Sequence, residues 1–406
     1  MRRRNYTVAG ITLLPLVLIP GLTAAGGDET KTTRFTEHLI KDGYTYSFGI
    51  AAADLNGDGH IDLTSADALP HNRLYWFEND GKGNFRQHLI EKDYPERLER
   101  HAIGDVNGDG KPDVVIIENL RGDVLWYRNS GHPAKEDGWE RLTITKGTIP
   151  GAYDVALADL DGDGLLDVAA STWTLSNKFV WFQNPGDPEK NQPWKMRVIE
   201  ENMAETRTIR AGDFNGDGKP DLLGTAVAAG QVVWYENPGK AEQPWKKHVI
   251  DAKSPQPIHG HPVDMDRDGD LDVVMALGMS AAPGTPETRQ VAWYENVGKL
   301  GDGTQWKKHI IADNLDHAFE AVAGDLNGDG HVDVAATTWA ADSRVVWFEN
   351  LGDPCRNWKM HELKKNWCRA NQIIIADFNG DQRPDLAAGA ERGANEVRWW
   401  RNEGSP

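Results

Sequence analysis

One motif, D-x-[DN]-x-D-x-x-x-D, occurs seven times in this chain of 406 residues, beginning at Asp54, Asp105, Asp159, Asp213, Asp264, Asp325 and Asp377. The steps between copies are 51, 54, 54, 51, 61 and 52 residues. A unit of about fifty residues repeated this often means a modular array in which each repeat buries its apolar surface against its neighbours. Two further patterns recur with the motif in fixed order. One is an aromatic run ending in asparagine: LYWFEN, VLWYRN, FVWFQN, VVWYEN, VAWYEN, VVWFEN and VRWWRN. The other alternates polar and apolar residues, clearest in WKMRVI, WKKHVI, WKKHII and WKMHEL and weaker in RFTEHLI, FRQHLI and WERLTI.

Each repeat therefore predicts four strands. Strand A is a run of small residues entering the acidic loop, strand B leaves it, strand C carries the aromatic run and strand D the alternating one. Four antiparallel strands per repeat is the signature of a propeller blade. The small residues of strand A suit the crowded centre, and the aromatics of strand C suit the wider gaps between blades. The first recognisable strand, 34–40, is a D strand with no A, B or C before it, and the last repeat, 371–402, lacks a D. Joining them completes a ring and removes the exposed edges that an open array would leave. The expected fold is all-β: a seven-bladed propeller of four-stranded antiparallel blades over 34–402, closed by strand 34–40 in the C-terminal blade and followed by a tail at 403–406.

The start of the chain reads differently. Arg2, Arg3 and Arg4 precede an apolar stretch at 8–22, and small residues at Thr23 and Ala25 suit cleavage after Ala25. Residues 1–25 are thus expected to be a signal peptide and 26–33 a short linker, with the mature chain secreted or periplasmic and free of a membrane span. Cys355 and Cys368, the two cysteines of the chain, flank a predicted strand at 358–363. The rise of that strand is expected to keep them apart and unpaired.

The acidic loops carry the strongest chemistry. Their oxygen donors are Asp54, Asn56, Asp58 and Asp62; Asp105, Asn107, Asp109 and Asp113; Asp159, Asp161, Asp163 and Asp167; Asp213, Asn215, Asp217 and Asp221; Asp264, Asp266, Asp268 and Asp272; Asp325, Asn327, Asp329 and Asp333; and Asp377, Asn379, Asp381 and Asp385. Donors at offsets 0, 2 and 4 point inward when such a loop curls, and the aspartate at offset 8 closes the cage. Hard oxygen ligands in a flexible shell suit Ca²⁺, so up to seven ions are expected, one per blade. Glycine at offset 5 permits the sharp turn in six loops; the seventh has Gln382, which makes Asp377–Asp385 the weakest candidate. Loop five carries Arg267 at offset 3, where the others have Gly, which is expected to matter little if that side chain points outward. The formal charge of −18 fits bound cations and disfavours nucleic acid as a partner.

The segments AAADLNGDGHIDL, AIGDVNGDGKPDV, ALADLDGDGLLDV, AGDFNGDGKPDL, VDMDRDGDLDV, AGDLNGDGHVDV and IADFNGDQRPDL resemble the FG-GAP/VCBS repeat family, the blade type of integrin α-subunit propellers. That resemblance implies a calcium-binding propeller. It leaves activity open, because similar propellers serve as adhesion and ligand-binding modules and as catalytic domains of carbohydrate-active lyases and aldos-2-ulose dehydratase.

Functional residues are expected on the face opposite the acidic loops, where the residues differ from blade to blade. Just before strand A stand Arg97, Arg100, His101, Tyr153, Asp154, Arg207, Arg210, His259, His261, His317, Glu320, Arg369 and Gln372; just after strand B stand Trp173 and Trp339. A binding module would stack sugar rings on Trp173 and Trp339 and hold carboxylates or sulfates with arginine. An enzyme would be a carbon–oxygen lyase, either a polysaccharide lyase or a sugar dehydratase. Its base would come from His101, His259, His261, His317 or Tyr153, with Arg100, Arg207 and Arg210 stabilising the developing enolate. Convergence of the four histidines would add a second metal in the funnel. A structural or adhesive role is the third reading. The expected partner is a carbohydrate or a protein ligand, met by a monomer. Extra residues in blade five are expected near 279–287, as a lip over the funnel, and near 300–305.

Overall fold

The computed structural model describes residues 33–68, 70–278, 289–298 and 302–405. The expected signal peptide, most of the linker 26–33 and the blade-five insertion at 279–287 lie outside the described residues, as do 300 and 301 of the second insertion and Pro406 of the tail.

The repeats form seven four-stranded antiparallel sheets, each in the order A–B–C–D. Blade one is Ser47–Ala53, Asp62–Asp67, Arg73–Asn79 and Phe85–Glu91, and the next five blades repeat that plan. The seventh takes its D strand from the other end of the chain. Phe35–Lys41 pairs antiparallel with Glu396–Asn402, from Phe35 opposite Asn402 to Lys41 opposite Val397, so the ring closes as expected. The only helical element among the described residues is a 3₁₀ turn, Pro188–Lys190.

The core lies between the blades. Trp76, Trp126, Trp181, Trp234, Trp293, Trp347 and Trp399, one from each C strand, are almost wholly buried. Trp76, for instance, packs in one cluster with Leu74 of its own blade and with Leu98, Ile103, Val114 and Tyr127 of the next. Burial of such large rings supplies most of the inter-blade adhesion. On the outer side, His88, His248, His309 and His361 of the D strands stack on Trp76, Trp234, Trp293 and Trp347 at centroid distances of 4.1 to 4.5 Å.

The A strands surround the axis: Ser47–Ala53, Leu98–Gly104, Ala152–Ala158, Thr206–Gly212, Pro257–Val263, Ala318–Gly324 and Ala370–Ala376. In all seven, the pairing with strand B slips within the first half of the strand, at Phe48/Ile50, Leu98/His101, Ala152/Asp154, Thr206/Ile209, Pro257/Gly260, Ala318/Glu320 and Ala370/Ile373. A bulge of this kind frees one or two residues from the ladder and re-aims their side chains. Gly49, Arg100, Tyr153, Arg207, His259, Phe319 and Gln372 lie in these gaps. Each A strand ends in its acidic loop, so the loops and the C–D connections share one face. The bulges lie toward the other.

Candidate functional site

Two constellations stand at opposite ends of the A strands. In the acidic loops, the first aspartate organises the turn. Asp54 accepts from the N–H groups of Gly57 and Asp58 through Oδ1 (2.8 and 3.1 Å) and of Gly59 through Oδ2 (2.9 Å). The offset-8 aspartate faces inward instead. Asp62 is fully buried and accepts from Leu55 N–H at 3.0 Å and from Asn79 N–H at 2.8 Å, which pins the loop to the end of strand C. The same pair of bonds recurs in the other six blades, at Asp113, Asp167, Asp221, Asp272, Asp333 and Asp385. This residue, expected only as a ligand, is therefore also a staple.

The asparagine ending strand C is a site that sequence reading missed. Its side-chain amide crosses to the neighbouring blade: Asn129 donates to Leu55 O at 2.7 Å, Asn184 to Val106 O at 2.9 Å and Asn402 to Leu326 O at 2.7 Å. Asn79, Asn237 and Asn296 do the same. Its invariance across seven aromatic runs was the available signal.

Burial pushes the offset-8 carboxyls up to about 7 in Asp62, Asp113, Asp167, Asp221 and Asp385, and to about 8 in Asp272 and Asp333. Other aspartates of the same loop push in the same direction. Asp159, Asp161 and Asp167, and likewise Asp264, Asp266 and Asp272, bring three carboxylate oxygens within 4.8 Å of one another. Asp264 Oδ1 is buried without a hydrogen-bond partner. All-oxygen donors, crowded and partly buried, fit a hard divalent cation that would offset this charge. Gln382 holds φ +66°, yet its N–H donates to Asp377 Oδ2 at 2.8 Å as the glycines do. Arg267 does not simply point to solvent: its guanidinium lies 3.7 Å from Asp325 Oδ2 in the next loop.

The funnel face is individually built. Most residues expected just before strand A lie inside it, because the strands start earlier and bulge. Glu320 is the hub of the axis. Arg100, reaching across from blade two, forms a two-pronged bond with it (2.7 and 3.3 Å). His261 Nε2 lies 3.1 Å and Arg210 Nη2 3.7 Å from Oε1. Arg210 also pairs with Asp154. Residues of five blades thus brace one another across the centre. Burial alone would raise the Glu320 carboxyl, but Arg100 and His261 hold it well below the usual range. Gln372 accepts from Ile50 N–H at 3.0 Å and serves as an inter-blade tie.

The histidines do not converge. His101 meets Thr64 Oγ1 at 2.7 Å; His259 takes the Tyr153 hydroxyl at 3.0 Å and Thr208 Oγ1 at 2.9 Å; His261 goes to Glu320. His317 is half-buried at the rim, with φ +57°. Its backbone carbonyl accepts from Trp339 N–H at 2.9 Å. Burial lowers His101 to about 4, lowers His261 with help from Arg210, and lowers His259 well below the usual value, so all three are neutral at neutral pH. The expectation of a second metal held by four histidines is corrected: each belongs to a different local network.

Around this brace the cations differ. Arg207 lies over the rings of Tyr153 and Trp173, 4.6 and 4.2 Å from their centroids. Arg369 lies 4.9 Å over Trp339, and Arg392 4.6 Å over Tyr46. Among the described residues none of these three forms an ion pair, and Arg207 Nε is buried without a hydrogen-bond partner. Arg97, in contrast, is 2.5 Å from the buried Glu99 and donates to the Tyr46 hydroxyl at 3.0 Å. Burial pushes Glu99 up to about 7 against the pull of Arg97. Trp339 donates to Glu391. Arg392 and Glu99 were not singled out by sequence; Glu99, between Arg97 and Arg100, could have been.

The FG-GAP-like repeat profile matches residues 105–170, 213–275 and 325–388. Aldos-2-ulose dehydratase of Phanerodontia chrysosporium is 21% identical over 311 residues, covering 67% of this chain and 32% of that protein. Human T-cell immunomodulatory protein is 22% identical over 242 residues, 57% and 36%. Integrin alpha-PS3 of Drosophila melanogaster is 28% identical over 149 residues, 31% and 13%. The chain thus spans about a third of the first curated relatives, at 32% and 36% of their lengths. A solved structure of an Agrocybe aegerita lectin, described as recognising non-reducing terminal N-acetylglucosamine, superposes with a TM-score of 0.56 and 16% identity over 88% of this chain and 86% of that one. That likeness is one of fold.

Proposed function

This chain is a seven-bladed propeller carrying FG-GAP-like repeats, and from that premise we propose that it is a calcium-stabilised, exported module that binds an acidic carbohydrate at the funnel mouth. The observation that carries the reading is the set of three arginines, Arg207, Arg369 and Arg392, each held against an aromatic ring and none within ion-pair distance of a carboxylate among the described residues. A planar guanidinium fixed in this way is preorganised for a carboxylate or sulfate. Half-buried Trp173 and Trp339, which carry Arg207 and Arg369 on their rings, add apolar surface beside each guanidinium for the sugar. The cross-braced Arg100 and Arg210 already have acidic partners, so they support the floor and leave ligand charge to the other three.

The dehydratase relative supports a second reading, elimination on an acidic or keto sugar. Tyr153 carries it: its hydroxyl bonds His259, and Arg100 and Arg207 lie over its ring at 5.9 and 4.6 Å. The test is calorimetric titration of the calcium-loaded chain with uronate-rich, sulfated and neutral oligosaccharides, with ultraviolet scanning for unsaturated products. Binding of acidic but not neutral sugars, without turnover, is the expected result. Product formation lost in Tyr153→Phe would favour the second reading; equal affinity for neutral sugars would sink the first. The integrin relatives support export and Ca²⁺, and a protein ligand would show as binding to none of the sugars.

A further inference from the structure

The C–D connections sit beside the acidic loops, and their third residue after the glycine turn meets the preceding blade. In blade three it is Glu189, which pairs with Arg128 at 2.7 Å and accepts from Asn107 at 2.9 Å in blade two. In blade four it is Glu242, which takes Arg197 and Lys195 of blade three at 2.8 and 3.0 Å. The position is an electrostatic clip from blade to blade.

Between blades five and six the chemistry changes. The corresponding residue is Cys355, and it meets a histidine–glutamate pair whose carboxylate also lies 3.6 Å from Lys307 Nζ. His309 Nε2 lies 3.8 Å from its sulfur and 2.5 Å from Glu295 Oε2. One ligand atom from each of Glu295, His309 and Cys355 falls within a 4.8 Å sphere of separation. The loop is held firmly: the indole N–H groups of Trp293 and Trp358 both donate to Pro354 O at 2.9 Å, and Cys355 N–H donates to Asp353 Oδ1 at 3.0 Å. The His309 ring is stacked on Trp293. Three other blades repeat the histidine–glutamate pair, as His88–Glu78, His248–Glu236 and His361–Glu349, and so provide an internal reference. In blade two the loop position of Cys355 is taken by Ala134, so the pair His88–Glu78 has no thiol supplied by that loop.

We propose that Glu295, His309 and Cys355 form a site for a borderline-soft divalent cation of the Zn²⁺ class, which clips blade six to blade five. Thiolate, imidazole and carboxylate are the donors such an ion takes, at about 2.0–2.3 Å, and three protein ligands leave a fourth position for water. A central ion separates tetrahedral ligands by more than a hydrogen bond does, so the His309–Glu295 bond opens as the ion enters. His309 binds as neutral imidazole with its proton on Nδ1, so Nε2 is free for the ion, and the thiol proton of Cys355 leaves to solvent. A calcium loop, all hard oxygen, does not compete for the same metal.

The experiment uses the full chain saturated with Ca²⁺ and kept reduced, titrated with Co²⁺ as a spectroscopic stand-in. One equivalent should bind with a thiolate-to-cobalt charge-transfer band in the near ultraviolet. Zn²⁺ should displace it and raise the melting midpoint. Cys355→Ser should lose the band and bind at least tenfold more weakly while keeping its calcium-saturated melting midpoint. Cys368→Ser, whose sulfur faces Arg392 O, should keep both band and affinity. Glu295→Gln, which retains the fold-side stacking, should weaken binding with the band still present. Absence of the band in the parent chain, or an unchanged band in Cys355→Ser, overturns the proposal.

Discussion

The acidic loops and the funnel mouth are the two ends of the same seven A strands, and they obey different rules. At the loop end the blades repeat one solution: an aspartate curls the turn, a buried aspartate pins it to strand C, and in six of the seven the asparagine reaches into the preceding blade. At the funnel end no two blades agree. Arg100, Arg210, His261 and Glu320 brace the axis, while Arg207, Arg369 and Arg392 lie on aromatic rings and form no ion pair among the described residues. Repetition is what a ring needs in order to close with equal blades; divergence is what a single ligand needs in order to be recognised from several sides. Under the proposed function, the contrast gives stability to one face and recognition to the other.

The strongest way to break that assignment is to remove the cation. Each filled loop adds about 2.7 kcal/mol when calcium stands a hundredfold above its dissociation constant, so seven loops together dominate stability. Chelation should lower the calorimetric midpoint by more than ten degrees or so, and an unmoved midpoint would take the stabilising role away from the loops. The funnel is next. Arg100→Ala leaves the buried Glu320 carboxylate without its main partner, which costs about 3–5 kcal/mol. Denaturant unfolding in saturating calcium measures it; a loss below one kcal/mol would mean that the axial brace is not structural.

Acidity separates the faces in a different manner. The offset-8 aspartates sit at about 7 or 8 in the fold, against roughly 4 in an unfolded chain. Without metal, the folded state therefore keeps protons that the unfolded state releases between about pH 4 and 7. Stability from these groups is full below that window and is lost as pH rises through it. Buried His101, His259 and His261 act in the opposite sense below about pH 6.5, but they are three against seven. The metal-free midpoint should rise from about pH 7.5 to 5.5, while calcium, which holds the carboxylates charged, should flatten or reverse the trend. Parallel pH profiles with and without calcium would contradict this.

Two smaller tests refine the comparison. Arg207→Ala and Trp339→Ala should each weaken an acidic sugar by about 1–3 kcal/mol, read by titration, with little change in the calcium dependence of melting. If either variant instead shifts calcium affinity, the two faces are coupled. Gln382→Gly relieves a left-handed side-chain residue and should stabilise loop seven by about 1 kcal/mol. A destabilisation would show that Gln382 contributes a contact worth more than the strain.

Much of this protein was legible before folding because it is periodic. The loop spacing, the aromatic runs and the stray D strand at 34–40 together dictated blade count, strand order and closure, since a repeat that cannot bury its own aromatics must stack on a neighbour. That the residues entering strand A vary while the loops do not was equally readable. Which funnel residues meet was not readable. Arg100 and Glu320 are 220 residues apart, and only closure of the ring sets blade two against blade six across the axis. The four histidines looked alike in sequence, yet the A-strand bulges turn each toward a different neighbour. Nor could the chain alone show that Cys355 comes to rest beside His309, since that contact crosses between blades. Local pattern determines what recurs along the chain, whereas contacts made across the ring depend on the angles at which rigid blades pack, and those exist only in the closed propeller.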